Sequence, residues 1–113
     1  TLVEGGAWMQ ITAGSLTGRF GRRPKYWAER MVDEQLVHIL ATDSHHIDKR
    51  PPLLAEGRDA AAARCGEKEA FNMVDVRPRA ILADLPQGQI PDLPERQLVS
   101  KDAPRWQRWL GLA

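Results

Sequence analysis

Asp43, Ser44, His45 and His46 follow directly on a nearly continuous apolar run, Leu36 to Thr42, and Arg50 stands five positions beyond His45. An Asp-x-His pair sets a hard carboxylate oxygen and an imidazole nitrogen on one edge, because residues two apart on a straight strand point the same way. Both groups suit zinc, manganese or iron, so the pair can serve one divalent ion or bridge neighbouring ones. Arg50 lies in Lys49-Arg50-Pro51-Pro52. Its planar guanidinium can grip a phosphoryl group bidentately, and the two prolines stiffen the loop that carries it. The same residues also read as ordinary surface: solvated polar side chains in a loop, with Arg50 as an exposed charge.

Other residues with chemical potential read more plainly. His38 sits inside the apolar run and is expected as a packed histidine with a hydrogen bond. Cys65, on an alanine-rich helix, lacks a catalytic-cysteine signature and reads as a small buried hydrophobe. The glycine-rich stretch Gly14 to Gly21 lacks the Gly-Lys-Ser/Thr ending of a phosphate loop, so nucleotide binding finds no support.

These residues need elements to hold them. Thr1-Leu2-Val3-Glu4-Gly5-Gly6 reads as the last turn of a helix and its glycine stop, a hint that the chain is a piece of something longer. Residues 7–12 are rich in large and β-branched types and predict a buried strand. Residues 13–21 predict a loop. Pro24 suits a first helical position, and Trp27 with Met31, Ala28 with Val32, then Leu36, trace one apolar stripe of a helix over 24–35. Residues 36–42 predict a second strand, covered on both faces as in parallel sheets. Strand, helix, strand makes one βαβ unit, and its carboxyl end is where α/β folds bind ligands. Helices are expected over 53–65, 67–74 and 78–83. Beyond Leu85, Pro86, Pro91, Pro94 and Pro104 mark an extended or loosely docked tail with a Trp106-Trp109-Leu110 patch.

Composition limits the function classes. The chain has 113 residues, room for one modest domain. Sixteen Lys plus Arg against fifteen Asp plus Glu leave a net charge of +1, no global field for nucleic acid or anionic membrane. No apolar run approaches the ~18 residues of a membrane span. One cysteine excludes an internal disulfide framework and a multi-cysteine zinc site, and suits a reducing cytoplasm.

Two segments carry a resemblance: Met9-Gln10-Ile11-Thr12-Ala13-Gly14-Ser15-Leu16-Thr17-Gly18-Arg19-Phe20-Gly21, and Leu36 through His45 followed by Arg50-Pro51. Together they resemble the manganese-dependent bacterial protein-tyrosine phosphatases of the PHP (polymerase and histidinol phosphatase) superfamily, which work in capsular and exopolysaccharide biosynthesis. The resemblance covers roughly residues 2 to 85. It implies an α/β chain that is the C-terminal fragment of a distorted (β/α)7 PHP barrel, a βαβ unit followed by helices. Residues 1–85 would be the C-terminal portion of the phosphatase domain and 86–113 a proline-rich tail.

The resemblance further implies that Asp43 and His45 are the last two metal ligands of a multinuclear Mn2+ site and that Arg50 holds the substrate phosphate and stabilises its transfer. His46 stands where the family usually has Asn. The family's other ligands come from a His-x-His strand and from histidines and glutamates upstream, none of which lies in this sequence, so the chain alone is expected to be inactive. The implied reaction is phosphotyrosine hydrolysis by metal-activated water, with a polysaccharide-chain-length tyrosine kinase as partner, in the cytoplasm, without nucleic acid or membrane insertion. Two alternatives stand beside it. One is another PHP-type phosphomonoesterase such as a histidinol phosphatase. The other is a non-catalytic remnant acting as an interaction module, with homo-oligomerisation through exposed barrel edges.

Overall fold

The computed structural model describes residues 2–44 and 53–94. Residues 2–7 form a helix-stop turn: Ala7 N–H donates to the Leu2 carbonyl and Gly6 N–H to the Val3 carbonyl, each at 3.0 Å, with Gly6 at φ +95°. That bonding is the Schellman pattern expected of a helix end read at Gly5-Gly6. Strand β1 (Gln10–Thr12) then pairs in parallel with β2 (Ile39–Ala41), Ile11 opposite Leu40. Both strands are shorter than the apolar runs that predict them. The register puts Ile11 and Leu40 side by side and buried, while Gln10, Thr12, Ile39 and Ala41 on the other face are exposed or half-buried. Among the described residues the sheet is therefore covered on one face, where continuous hydrophobicity predicts two.

Residues 13–21, expected as a loop, instead begin with a short helix, α1 (Ala13–Thr17). Ala13 and Leu16, three apart, fall on one face and enter the core at 2% exposure each. Gly18 at φ +89° ends the turn, with Arg19 N–H donating to Gly14 and Gly18 N–H to Ser15. The glycines that suggest a loop are here the stop of a helix.

Helix α2 (Arg22–Asp33) has Pro24 in its third position, where a missing N–H is still harmless because the first four donors have no intrahelical partner. Its buried stripe is Ala28 and Val32, flanked by Met31. Trp27, expected on that stripe, is 53% exposed: it lies edge-on to Tyr26, with the Arg30 guanidinium 5.9 Å from its ring centre. Ala28 and Val32 face the core, and Trp27, one helical step round from Ala28, is turned toward solvent.

Helix α3 (Leu54–Cys65) packs on α1, α2 and α4. Gly57 is its point of closest approach: a Cβ there would stand 2.6 Å from the Ala13 Cβ and 3.4 Å from Leu40. Arg64 ties α3 to α2, donating to both Asp33 oxygens at 3.1 and 3.2 Å and pairing with Glu29.

Two separate helices are expected over 67–74 and 78–83. The chain instead runs through α4 (Glu67–Phe71), a π-helical stretch (Asn72–Val76) and α5 (Arg77–Leu82) without leaving helical backbone angles. Pro78 explains the wide turn. It cannot donate to the carbonyl four residues back, and its ring crowds that carbonyl, so the helix widens just before it. Past α5, a 3-10 turn (Gln87–Gln89) leads to Ile90, which is buried. The proline-rich stretch thus has docked residues over 86–94 and no strand there; Trp106 and Trp109 lie outside the described residues. No described helix is long and apolar enough to cross a membrane.

Candidate functional site

Parallel pairing with Thr12 opposite Ala41 brings the carboxyl ends of β1 and β2 together. Next in chain come Ala13, the start of α1, and Thr42-Asp43-Ser44. Asp43 is exposed and adopts the left-handed backbone conformation at φ +48°. Aspartate is one of the few residue types that tolerates this conformation.

Beside Thr42 lies a hollow lined by Ala13, Gly14, Thr17, Arg19, Phe20 and Leu53. The Thr17 hydroxyl donates to the Gly14 carbonyl at 3.3 Å, bracing the turn that forms its wall. The stretch 13–21 therefore walls the hollow at the strand ends. It also contributes Arg19, a cation at the rim that no reading of metal-ligand spacing selects. A long cation directly after Gly18, in the stretch that follows the first strand, is the available signal.

Of the sequence-derived site residues, Asp43 is at the strand end as expected. His45, His46 and Arg50 lie outside the described residues. Among the described residues no group of three or more His, Cys, Asp or Glu side chains gathers in metal-binding range. The donor chemistry of Asp43 suits a divalent ion, yet one carboxylate cannot hold it against water. Any complete centre needs ligands beyond those described.

His38 performs a different task at the opposite, amino end of the strands. Its Nδ1 accepts from the Met9 N–H at 3.1 Å, and its ring stacks on Trp8 with centres 4.8 Å apart and planes 11° from parallel. Burial first, then the nearby Arg77 cation, push its pKa below the usual value of 6.5. It is a neutral packed histidine, as the sequence suggests. Cys65 is half-buried; its thiol donates to the Ala61 carbonyl at 3.1 Å, and burial raises its pKa. A protonated, hydrogen-bonded thiol is a poor nucleophile.

Residues 1–83 match the sequence profile of the family described as capsular polysaccharide synthesis, CpsB/CapC. The chain is similar to the tyrosine-protein phosphatase CpsB of Streptococcus pneumoniae, 31% identical over 88 residues, covering 74% of this chain and 36% of that protein. It is also similar to the tyrosine-protein phosphatase YwqE of Bacillus subtilis (strain 168), 47% identical over 49 residues, or 43% of this chain and 19% of the relative. Among solved structures it superposes on one from the pair YwqE of Bacillus subtilis and CpsB of Streptococcus pneumoniae, described as unique metal-dependent tyrosine phosphatases. The TM-score is 0.70 at 30% identity, over 84% of this chain and 38% of the other. The chain thus spans well under half the length of the relatives it matches.

Proposed function

Because this chain belongs to the CpsB/CapC family of capsular polysaccharide synthesis, we propose that it is the C-terminal portion of a metal-dependent protein-tyrosine phosphatase. Residues 1–85 would supply the last strands and helices of a (β/α)7 PHP barrel, and 86–113 a tail. The observation that carries the reading is the parallel β1–β2 pair, which delivers Asp43 to the carboxyl end beside a polar-rimmed hollow. Ligand sites of α/β folds lie at that end. The half-open face of the sheet supports the barrel reading, since it offers Gln10, Thr12, Ile39 and Ala41 to further strands. The outer edges of β1 and β2, with no further strand beside them among the described residues, would favour homo-oligomerisation if left unpaired.

Asp43 and His45 would hold divalent metal, Mn2+ by the family resemblance, together with ligands from outside this chain. Such an ion supplies Lewis acidity toward water and the phosphoryl oxygens. Arg50 would hold the phosphate by two parallel N–H donors and offset charge on the transferring oxygens. Cys65 takes no part, so no phosphocysteine forms. The substrate would be a phosphotyrosine protein, a polysaccharide-chain-length tyrosine kinase in the cytoplasm.

The test is a chimera in which residues 1–85 replace the matching segment of Streptococcus pneumoniae CpsB. Metal-dependent release of phosphate from a phosphotyrosine peptide by a folded chimera, and none by the 113-residue chain alone, is the expected result. A folded chimera that binds metal but hydrolyses nothing would sink the proposal.

A further inference from the structure

Resting on the phosphatase reading above, we propose that residues 19–25 form a cationic rim that selects phosphotyrosine peptides with acidic residues flanking the phosphotyrosine. Arg19, Arg22, Arg23 and Lys25 fall within seven positions, and no Asp or Glu occurs between Glu4 and Glu29, in a chain whose net charge is only +1. The charge is concentrated rather than general. All four side chains are exposed. Arg19 lines the strand-end hollow with Phe20, and Lys25 lies against the Gly18 turn, its Cδ 3.4 Å from where a Cβ on Gly18 would stand. Arg22 and Arg23 open α2 immediately beyond the Gly21 bend.

Among the described residues outside the rim every exposed arginine is matched: Arg30 pairs with Glu34, Arg58 with Asp59, Arg64 with Asp33 and Arg79 with Asp75, while Lys68 is a single isolated cation. Within the rim only Lys25 has an ion-pair partner among the described residues, Glu29 at 3.6 Å. Two arginines in the first turn of a helix oppose the helix dipole, a placement that helix stability does not favour. An anionic partner would turn that cost into an attraction. A peptide whose phosphotyrosine docked at the carboxyl ends of β1 and β2 would pass its neighbouring residues over this rim, where carboxylates find guanidinium forks.

The experiment measures fluorescence anisotropy of two labelled phosphotyrosine peptides against the 113-residue chain, one flanked by Asp and Glu and one by Ala and Ser. At low ionic strength the acidic peptide should bind about tenfold more tightly, and the advantage should shrink as salt rises. The double substitution Arg22→Gln, Arg23→Gln should abolish most of the difference. Lys68→Gln, Arg79→Gln, which removes the same charge far along the chain, should not. Equal affinity for both peptides, no binding of either, or equal loss in both double variants overturns the proposal. An inactive folded chimera alongside a retained acidic preference would instead count against the phosphatase reading alone.

Discussion

The Arg77 guanidinium, fully buried at the start of α5, donates from Nη1 to the backbone carbonyl of His38 at 3.1 Å. It also donates from Nε to Pro91 at 2.9 Å and from Nη2 to Asp92 at 2.8 Å, and the Glu69 carboxylate lies within ion-pair range. One side chain thereby joins the approach to β2, the long bent helix and the segment that follows it. A buried charge is tolerable only with such partnering; Glu69 Oε1 answers the charge by proximity alone, with no hydrogen bond of its own.

Arg77→Ala should therefore be the most destabilising single change in the described fold. It leaves the buried His38 carbonyl and the part-buried Pro91 and Asp92 carbonyls without their donor and Glu69 without its countercharge, a loss of about 3–5 kcal/mol. Urea unfolding followed by far-ultraviolet circular dichroism should show the midpoint falling sharply or the cooperative transition disappearing. A loss below about 1 kcal/mol would mean the guanidinium is dispensable to the fold.

Gly57→Ala should destabilise although alanine is the better helix former. The propensity gain is about 1 kcal/mol. Against it stands a Cβ placed 2.6 Å from Ala13 and 3.3 Å from its Cα, a clash with a neighbouring helix that must move. Overpacking of this kind costs about 1–3 kcal/mol, so the net change should be a loss. Gly88→Ala, where nothing lies within 4 Å, should stay within about 0.5 kcal/mol of the unaltered chain. Thermal melts of the two variants decide it.

His38 should make the fold acid-sensitive in a defined window. Its folded pKa lies below the ordinary 6.5, so the unfolded chain takes up a proton first as pH falls. Stability from this group is complete above pH 6.5 and is lost as pH drops through 6.5 toward the folded value. Protonation would also set an N–H donor against the Met9 N–H that Nδ1 now accepts. Denaturation midpoints should decline from pH 7 to 5.5, and His38→Gln should flatten that decline. Asp33, whose pKa burial raises above 3.8, has the opposite sign, because there the folded chain takes up the proton first as pH falls.

In the active chimera, Asp43→Ala and His45→Ala should lower metal content and kcat together. Arg50→Ala should keep metal but lose about 10²-fold in turnover, with Arg50→Lys recovering part of it, because a point charge lacks the bidentate fork. Cys65→Ser should leave turnover close to that of the unaltered chimera. Metal analysis beside steady-state kinetics separates these outcomes; full metal and activity in Asp43→Ala would end the metal-ligand role.

The sequence by itself determined the features that depend on neighbours in the chain. The Gly5-Gly6 stop, the two apolar strands, α2, α3 and the placement of Asp43 after a strand all follow from turn chemistry and periodicity, which act over a few residues. The family resemblance rests on the same contiguous runs. Tertiary structure alone decided the rest. Trp27 is exposed because tertiary packing turns the Ala28–Val32 face of α2 to the core. Residues 13–17 become helix because Leu16 finds a buried site, and α4 runs into α5 because the backbone widens ahead of Pro78 rather than breaking. Arg77 is buried because its partners His38, Pro91 and Asp92 stand 39, 14 and 15 positions away. Arg19 joins the strand-end hollow because parallel pairing brings residues 13–20 beside Thr42. Such contacts close loops that no local pattern records, since their free energy arises only once distant segments meet.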